Sequence, residues 1–482
     1  MGIIDTIHRV KNDSISDLLC LENIKTEADK EKYNNDGYLI GYTADEFKQA
    51  YPSLDTSKIH FCSGFDKTFY FDREKFILFN IFLFGDKYVS PIGNGSLEDD
   101  VMKLVNDIES KSGDGIYRSA ILHLNDRMRM EYLNLLLEND KTQDIYEIFM
   151  DFYKMSDFGC GSVSHDNMRK LVSLKSAAEK AETAELIRDL PDEVILYRGE
   201  GDKSTPTGQS FSWTLDINMA NFFATRWADQ NARLITAKTK KENIIEYFDT
   251  EQECLVMPDD IEIINIIEMY GTDGLSDKFN KVADQYHLYR DLMLINFEFD
   301  SQIHGEAHSA RVLLLSLMLA DAHGLSKRDK TILSIASVYH DIGRTHDGID
   351  DDHGDASAEL YQDDPFHLPD LTSCYNPVSE FLIRYHSLPD EVGLAHIQEN
   401  TELSKNDKKN TLLFNIFKDA DALDRIRLGY KDLDMNQLRL DESKKMPLIA
   451  RLVFQHLKVT WDDDISQNDG QEDDDQAMEM SM

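Results

Sequence analysis

The chain has 482 residues, of which 41% are hydrophobic, and a formal net charge of −39. This length suggests roughly two to four domains with a sizeable core. The negative charge argues against DNA or RNA as a partner, because proteins that bind nucleic acids need Lys and Arg to replace counterions. No apolar run is long enough to span a bilayer, and residues 1–13 lack the apolar core of a signal peptide.

The five cysteines are scattered along the chain, and none forms a Cys-x-x-Cys pair. This usage is typical of reduced thiols, so we expect a cytoplasmic protein. Part of the negative charge lies in residues 461–482, which we expect to form a solvated, disordered tail. Clustered carboxylates could also bind divalent cations, but solubility is the simpler interpretation.

The first 105 residues mix strand-like and helical patterns and carry no chemical motif. The apolar run 76–84 predicts a buried strand or the core of a helix. Between residues 106 and 190 the spacing of apolar residues becomes helical, as in Met130, Leu133, Leu136 and Leu137, and again in Ile145, Ile148, Phe149 and Phe152. We expect 164–190 to continue as helix up to Pro191, which gives a helical lobe.

Residues 191–270 change to short strand-like runs, which predict a small, mostly β domain. The predicted strands are 193–199, 233–239, 254–256 and 261–267. A single helix is expected at 219–225, between the first two of these strands. Domain boundaries are therefore expected near residues 105, 285 and 460.

Long helical patterns return between residues 286 and 460. The helices predicted to be buried cover 312–320, 331–339 and 412–428. Residues 321–330, 345–355 and 400–410 are polar and are expected to connect the helices. No internal repeat of fixed period is evident in the chain.

Histidine and aspartate residues recur on these C-terminal helices in an order that suits a metal site. His304 and His308 are four residues apart, so we expect them to share one helix face. His340 and Asp341 end the next apolar helix and can offer a nitrogen and an oxygen to one cation. Asp421 lies beside the apolar face of the third helix.

This order of His, then His-Asp, then a late Asp resembles the HD-domain family of metal-dependent phosphohydrolases over residues 300–430. The resemblance implies the ligands His308, His340, Asp341 and Asp421, with His304 as a rival for the first position. His353 and His386 resemble the additional histidines of the subgroup that holds two metal ions. Asp341 would then bridge the two ions.

Two such ions can together activate water and neutralise phosphate oxygens. Imidazole and carboxylate ligands suit Fe, Mn, Co, Ni or Zn, and the sequence does not choose among them. Arg311 and Arg344 could bind the phosphate of the substrate or pair with local carboxylates. The alternative interpretation of the histidines is that they are core residues satisfied by hydrogen bonds.

A second set of motifs occupies the predicted β domain. Arg198 lies near the end of its first strand, Ser212 and Thr214 flank Trp213 on the next, and Glu251 and Glu253 follow. An Arg can bind a phosphate through paired N–H donors. A carboxylate can stabilise the oxocarbenium-like sugar that forms when a glycosidic bond breaks.

These motifs look like the Arg-Ser-Glu class of mono-ADP-ribosyltransferases, which use NAD. The resemblance implies that Arg198, Ser212 and Phe223 bind NAD, and that Ser212 and Thr214 brace the site. Glu253 would be the catalytic carboxylate, and Glu251 would orient or deprotonate the acceptor. A Glu rather than a Gln at position 251 favours an arginine acceptor. Trp213 departs from the family, which often has a small residue between the hydroxyls.

The two resemblances imply a multidomain α+β protein with four regions. The N-terminal α+β region of unknown role is 1–105, and 106–285 is a small mixed-β ADP-ribosyltransferase-like domain with a helical lobe. An all-α HD domain covers 286–460, and the acidic tail covers 461–482. The alternative for the β domain is an ordinary sheet in which Arg198 lies at a surface turn and the glutamates are solvated.

We therefore expect a bifunctional enzyme that transfers ADP-ribose to a protein acceptor and hydrolyses a phosphoester or nucleotide. Certain bacterial effectors pair these activities to join ubiquitin to proteins through phosphoribose, and that pairing implies a toxin-like effector delivered into a host cell. One alternative is a nucleotide phosphohydrolase whose β domain only binds NAD as a sensor. Another is an interaction protein whose sites have decayed.

Overall fold

The computed structural model describes most of the chain, with gaps that include the acidic tail 461–482. The described residues are 15, 18–63, 67–91, 95–141, 144–156, 162–227, 230–291, 293, 299, 301, 303–350, 352–365, 375–429 and 431–457. They form two compact units, Met1–Arg188 with Thr207–Ser210, and Asp189–Pro206 with Phe211–Met482. The domain boundaries expected from the sequence stay predictions.

The N-terminal unit contains a four-stranded antiparallel sheet in the order β1-β2-β3-β4. Its strands are β1 (Leu19–Cys20), β2 (Ile59–Cys62), β3 (Lys67–Asp72) and β4 (Ile77–Ile81), followed by the hairpin β5 (Leu83–Phe84) and β6 (Lys87–Tyr88). The apolar run 76–84 is therefore strand rather than helix. Its side chains at Ile77, Leu78 and Phe79 are almost fully buried, which is the reason for its hydrophobicity.

Helices make up the rest of the N-terminal unit. They are α1 (Glu27–Asn35), α2 (Ala44–Ala50), α3 (Leu97–Glu109), α4 (Gly115–Leu122), α5 (Asp126–Glu138), α6 (Ile145–Tyr153), α7 (His165–Leu174) and α8 (Ala177–Leu186). The predicted apolar faces of α5 and α6 are buried. The region 164–190, predicted to be helical, contains the two helices α7 and α8, because Ser176 caps a new helix by accepting the backbone N–H of Glu179.

The C-terminal unit begins with a six-stranded antiparallel sheet in the order β10-β11-β8-β7-β9-β12. Its strands are β7 (Glu193–Glu200), β8 (Ser212–Thr214), β9 (Arg233–Lys240), β10 (Ile244–Phe248), β11 (Glu253–Val256) and β12 (Glu262–Glu268). Helix α9 (Ile217–Thr225) packs on β7, where a Cβ on Gly199 would lie 1.9 Å from the carbonyl oxygen of Ala220. The predicted strands and helix are thus present, while the transferase-like fold stays a prediction.

The remaining helices form an all-α region around a large apolar core. They are α10 (Thr272–Asp291), α11 (Glu306–Ala322), α12 (Lys327–Tyr339), α13 (His353–Asp363), α14 (Pro377–Tyr385), α15 (Asp390–Glu399), α16 (Asp407–Asp424) and α17 (Pro447–His456). Helix α11 is buried from Val312 to Ala320, so its apolar residues surround it on all sides. The sequence had predicted this burial.

Three connections that looked polar are shorter than expected. Helices α12, α13 and α16 begin at Lys327, His353 and Asp407, inside the segments predicted to be loops. Helix α16 ends at Asp424, and a 3₁₀ turn, Arg425–Arg427, completes the segment that was predicted as one helix. Capping explains one of these differences, because Ser326 accepts the N–H of Asp329 and starts α12 among polar residues.

The sheet and the all-α region share one hydrophobic core. Ala220, Ala224 and Leu234 of the sheet region belong to the same buried cluster as the residues of α11 and α16. Hydrogen bonds reinforce this contact, since the Asn218 side chain accepts the N–H of Met435 at 2.9 Å. We infer that these two parts of the C-terminal unit are one structural body.

Two further expectations can be compared with the described residues. Cys20, Cys62 and Cys254 are not in disulfide bonds, whereas Cys160 and Cys374 lie outside the described residues. Within the helices that the structure describes, none has the length and apolar character needed to cross a membrane.

Candidate metal centre

The predicted metal ligands lie at the ends of several helices that converge in the C-terminal unit. His308 is in the first turn of α11, and His340 and Asp341 directly follow α12. His353 begins α13, His386 follows α14, and Asp421 lies near the end of α16. The side chains of His308, His340, Asp341, His353 and His386 are each at most 5% exposed.

The first donor set contains four of these residues. The Nε2 atom of His308 lies 3.1 Å from His340 Nε2, 3.4 Å from Asp341 Oδ2 and 3.3 Å from Asp421 Oδ1. His340 Nε2 lies 3.6 Å from the same Asp341 oxygen. Two imidazole nitrogens and two carboxylate oxygens therefore face one point.

The second donor set uses the other oxygen of Asp341. The Oδ1 atom of Asp341 lies 3.2 Å from His353 Nε2 and 3.7 Å from His386 Nε2. The two ring nitrogens are 2.9 Å apart. Asp341 thus presents one oxygen to each donor set, which is the arrangement expected of a bridging carboxylate.

Backbone carbonyl groups determine which ring nitrogens can bind a metal. The Nδ1 atoms of His340, His353 and His386 contact the carbonyl oxygens of Ser337, Asp350 and Ile383. A carbonyl only accepts hydrogen bonds, so each Nδ1 carries a proton, and the neutral ring keeps its lone pair on Nε2. In the second set, the two Nε2 atoms then face each other at 2.9 Å, and two neutral rings need a proton or a metal ion shared between these lone pairs.

The donor spacing fits a transition-metal ion. Ions bound at 2.0–2.2 Å by nitrogen and oxygen have neighbouring ligand atoms about 2.8–3.6 Å apart. The donor distances given above begin at 2.9 Å and fall within this spacing, except the 3.7 Å between Asp341 Oδ1 and His386 Nε2. Mixed imidazole and carboxylate donors suit Fe, Mn, Co, Ni or Zn. His308, His340, Asp341 and Asp421 would hold one ion, and Asp341 with the other two histidines a second.

Electrostatics inside the centre are strongly perturbed. Burial favours the neutral ring of His308, but hydrogen bonds to Asp341, Asp421 and Asp424 outweigh it and raise the pKa of His308 to about 9. Burial lowers the pKa of His340 to about 3. Burial disfavours the charged carboxylates, yet the neighbouring histidines hold the pKa values of Asp341 and Asp421 below their usual range. The carboxylates are thus anionic and His340 is neutral, as metal ligands must be, whereas an ion would have to displace the proton from Nε2 of His308.

The rival first ligand, His304, lies outside the helix. It precedes α11, so the expectation that it shares a helix face with His308 was wrong. Its Nδ1 still contacts Asp341 Oδ2 at 3.0 Å, because the turn at residues 303–305 brings it back to the centre. His308 contacts Asp421 as well as Asp341, and this geometry favours His308 as the first ligand.

The two arginines proposed for phosphate binding both pair with carboxylates of the chain. Arg344 donates from Nε to Asp341 Oδ1 at 3.0 Å and from Nη1 to the carbonyl of Gly348 at 3.3 Å. Arg311 is buried and binds Asp424 through two hydrogen bonds. The structure therefore supports the local-pairing interpretation for Arg311, and Arg344 is the more exposed of the two.

Sequence reasoning missed Asp424, which contacts His308 Nδ1 at 2.7 Å. Asp424 is fully buried and lies three residues after Asp421 on α16. Residues three apart on a helix share a face, so this spacing could have pointed to it. Arg427, which contacts the same carboxylate at 3.4 Å, was also missed.

Most of the transferase-like residues also lie close together, on adjacent strands of the six-stranded sheet. Arg198 on β7 donates from Nη1 to the carbonyl of Ser212 at 3.0 Å. The hydroxyl of Ser212 donates to Glu253 Oε1, and Thr214 pairs with Glu253 across β8 and β11. The Thr214 hydroxyl donates to the carbonyl of Glu251 at 2.7 Å. The ordered motif therefore corresponds to a spatial cluster.

The contacts and burial of Phe223, Trp213 and Arg198 complete the description of the motif. Phe223 on α9 packs against Phe222, and the Arg226 guanidinium lies 4.6 Å from the centre of its ring. Trp213 is almost fully buried, so the residue that departs from the family pattern points into the core. Arg198 is largely buried and lies inside β7 rather than at a surface turn.

The C-terminal helices bring together histidine and aspartate side chains that could hold a metal ion. The description "HD domain" fits this region directly, since the profile of that family matches residues 305–426, about a quarter of the chain. The match contains the six helices from α11 to α16, including all six predicted ligands. No curated protein and no solved structure matched the chain.

Proposed function

We propose that the C-terminal unit is a metal-dependent phosphohydrolase with a two-ion centre. The HD domain at residues 305–426 supports metal-dependent hydrolysis of a phosphoester. The observation that carries the proposal is the position of Asp341, whose two oxygens face separate donor sets containing two histidines each. When bound there, divalent ions would supply an activated water and charge neutralisation for phosphate oxygens.

Residues of the chain would prepare this centre before substrate binds. The carbonyls that accept from Nδ1 keep the rings of His340, His353 and His386 oriented with Nε2 inward. Arg344 keeps Asp341 oriented through a hydrogen bond at 3.0 Å, and its partly exposed guanidinium remains near the second donor set. The substrate would be a phosphoester or a nucleotide.

Metal content and hydrolysis together test this proposal. Purified protein reconstituted with Mn²⁺ or Zn²⁺ should bind two ions and hydrolyse bis(p-nitrophenyl) phosphate or a nucleotide. Asp341→Ala should remove both ions and the activity, since it contributes to both sets. His396→Ala is the control, because His396 packs on Tyr385 outside the donor sets. Full metal content in Asp341→Ala would contradict the proposed centre.

A second candidate function, NAD-dependent mono-ADP-ribosyl transfer, is favoured by the cluster of Arg198, Ser212 and Glu253. The hydrogen bond from Ser212 to Glu253 and the main-chain contact of Arg198 bring together residues that are far apart in sequence. In this role Glu253 would stabilise the developing charge on the ribose. Glu251 would orient a protein acceptor, and Arg198 would support the NAD phosphates.

Labelled NAD distinguishes transfer from binding. The wild-type chain should transfer label to itself or to proteins in a host-cell extract, and Glu253→Gln should abolish transfer while it retains NAD binding. Glu262→Gln, on the edge strand β12 of the same sheet, is the matched control. Tight NAD binding without transfer would support the sensor alternative. The acceptor protein and delivery into a host cell stay predictions from the sequence.

A further inference from the structure

Asp424 connects the metal centre to two arginines, Arg311 and Arg427. Its Oδ2 lies 2.7 Å from His308 Nδ1, while Arg311 donates to Oδ1 at 2.6 Å and to Oδ2 at 3.0 Å. Arg427 contacts Oδ2 at 3.4 Å. Asp424 and Arg311 are at most 3% exposed, so the carboxylate has fixed partners on several sides.

This carboxylate differs from the partners of the other ligand histidines. His340, His353 and His386 each use a backbone carbonyl at Nδ1, and only His308 has an anionic side chain there. A carboxylate acceptor favours the tautomer protonated at Nδ1 and increases the basicity of Nε2. The Nε2 of His308 is also the atom in contact with both Asp341 and Asp421.

Arg427 extends the same network to the segment before α11. It donates from Nε to the carbonyl of Ile303 at 3.0 Å and from Nη1 to the carbonyl of Asp424 at 3.0 Å. The Ile303 carbonyl precedes His304, whose ring contacts Asp341. Arg427 therefore links the end of α16 to the turn before α11 through these two hydrogen bonds.

We propose that Asp424 is a positioning residue that fixes the tautomer and ring orientation of His308, with Arg311 fixing Asp424 through paired hydrogen bonds. This inference rests on the proposed metal centre. Asp424 itself contacts the ring on the side away from the donor set, so it acts through His308. Carboxylates in this position typically change metal affinity by about 10–100-fold when they are replaced.

The matched control for Asp424→Asn is Asp419→Asn on the same helix. Asp419 is also fully buried and also pairs with an arginine, because it accepts from Arg439 at 3.0 Å. It further accepts the backbone N–H of Leu440 at 2.9 Å. Both substitutions thus remove a buried charge next to an arginine, but only one of them changes the partner of His308.

The experiment measures Zn²⁺ affinity by competition with a chromophoric chelator for wild type, Asp424→Asn and Asp419→Asn. We expect Asp424→Asn to weaken binding of one of two ions by about 10–100-fold, and Asp419→Asn to stay within about threefold of wild type. Equal affinities of Asp424→Asn and wild type, or an equal loss in Asp419→Asn, would overturn the proposal. A wild-type protein that binds no Zn²⁺ would instead refute the proposed function.

A spectroscopic measurement on the wild type covers the case in which Asp424→Asn does not fold. Zinc-loaded protein labelled with ¹⁵N at histidine should show His308 protonated at Nδ1 in long-range ¹H–¹⁵N correlation spectra. The His308 signals are identified by their loss in His308→Asn. A His308 ring protonated at Nε2 and bound through Nδ1 would overturn the positioning role of Asp424.

Discussion

Removal of bound metal is expected to lower the unfolding temperature of the C-terminal unit. The donor sets lie in its core, and at least one pair of ring nitrogens, His353 and His386, faces each other at 2.9 Å. An ion between such atoms binds only the folded state, because the ligands come from five helices that separate on unfolding. Bound metal therefore adds directly to the free energy of unfolding.

The size of the effect follows from mass action. At a free ion concentration 100 times the dissociation constant, one ion adds about 2.7 kcal/mol. The C-terminal unit, Asp189–Pro206 with Phe211–Met482, is large, so 1 kcal/mol shifts its midpoint by about 2 °C. Chelation should therefore lower the midpoint by about 5 °C if one ion is bound and about 10 °C if two are bound.

Differential scanning calorimetry with Mn²⁺ or with EDTA measures this shift, and three variants locate its origin. His386→Ala should keep only the first donor set, so chelation should lower its unfolding midpoint by about 5 °C. Asp341→Ala should bind neither ion, so chelation should leave its unfolding midpoint unchanged. His396→Ala should unfold earlier, because its ring packs on Tyr385 and Phe381, but should keep the full shift.

Two results would refute this reasoning. The first is a wild-type protein that contains metal by elemental analysis yet unfolds at the same temperature after chelation. The second is an Asp341→Ala variant that keeps the wild-type shift, since no ion could then depend on the bridging carboxylate.

Three further predictions concern other parts of the C-terminal unit. Contacts with Arg439 and Lys418 outweigh burial and lower the pKa of Asp390 to about 2, so its stabilisation should be present above about pH 4 and lost as the pH falls toward 2. Urea unfolding should show that Asp390→Asn lowers the free energy of unfolding by about 1 kcal/mol or less at pH 7, because the carboxylate is 39% exposed. A loss of the same size at pH 2 would contradict the pairing of Asp390 with Arg439 and Lys418. Gly343→Ala should lose the second ion, as measured by metal analysis, because the new Cβ would lie 2.5 Å from the backbone nitrogen of Ser357 on α13. A variant that still binds two ions would be inconsistent with that packing. Gly199→Ala should lower the unfolding midpoint by several degrees, because β7 and α9 must separate, and an unchanged midpoint in calorimetry would show that this contact is unimportant.

The sequence was sufficient for features that depend on local pattern. Short strand-like runs predicted strands at 193–199 and 233–239, and largely apolar runs predicted the buried segments of α11 and α12. The order of His308, His340-Asp341 and Asp421 on apolar helices predicted an HD domain, and the family match at 305–426 confirmed it. These signals are local because a helix or strand repeats its buried face at a fixed interval.

Local pattern was misleading where capping or a turn changed the backbone. His304 and His308 have helical spacing, yet α11 begins only at Glu306, and His304 reaches the centre from a turn. His353 lies in a polar stretch that seemed to be a loop, but it begins α13 and its ring is buried. Polar residues at a helix start satisfy free N–H groups, so polarity alone did not distinguish a helix start from a loop.

The sequence by itself determined which residue types were available to bind metal, and it placed His308, His340, Asp341 and Asp421 on apolar helices or at their ends. Only the tertiary structure decided that one oxygen of Asp341 faces His308 and His340 and the other faces His353 and His386. The tertiary structure also brings Asp424 into contact with His308, from which it is 116 residues distant in sequence. Contacts over such separations, and backbone carbonyls that fix a histidine tautomer, depend on how helices pack, and no periodicity in the chain records that packing.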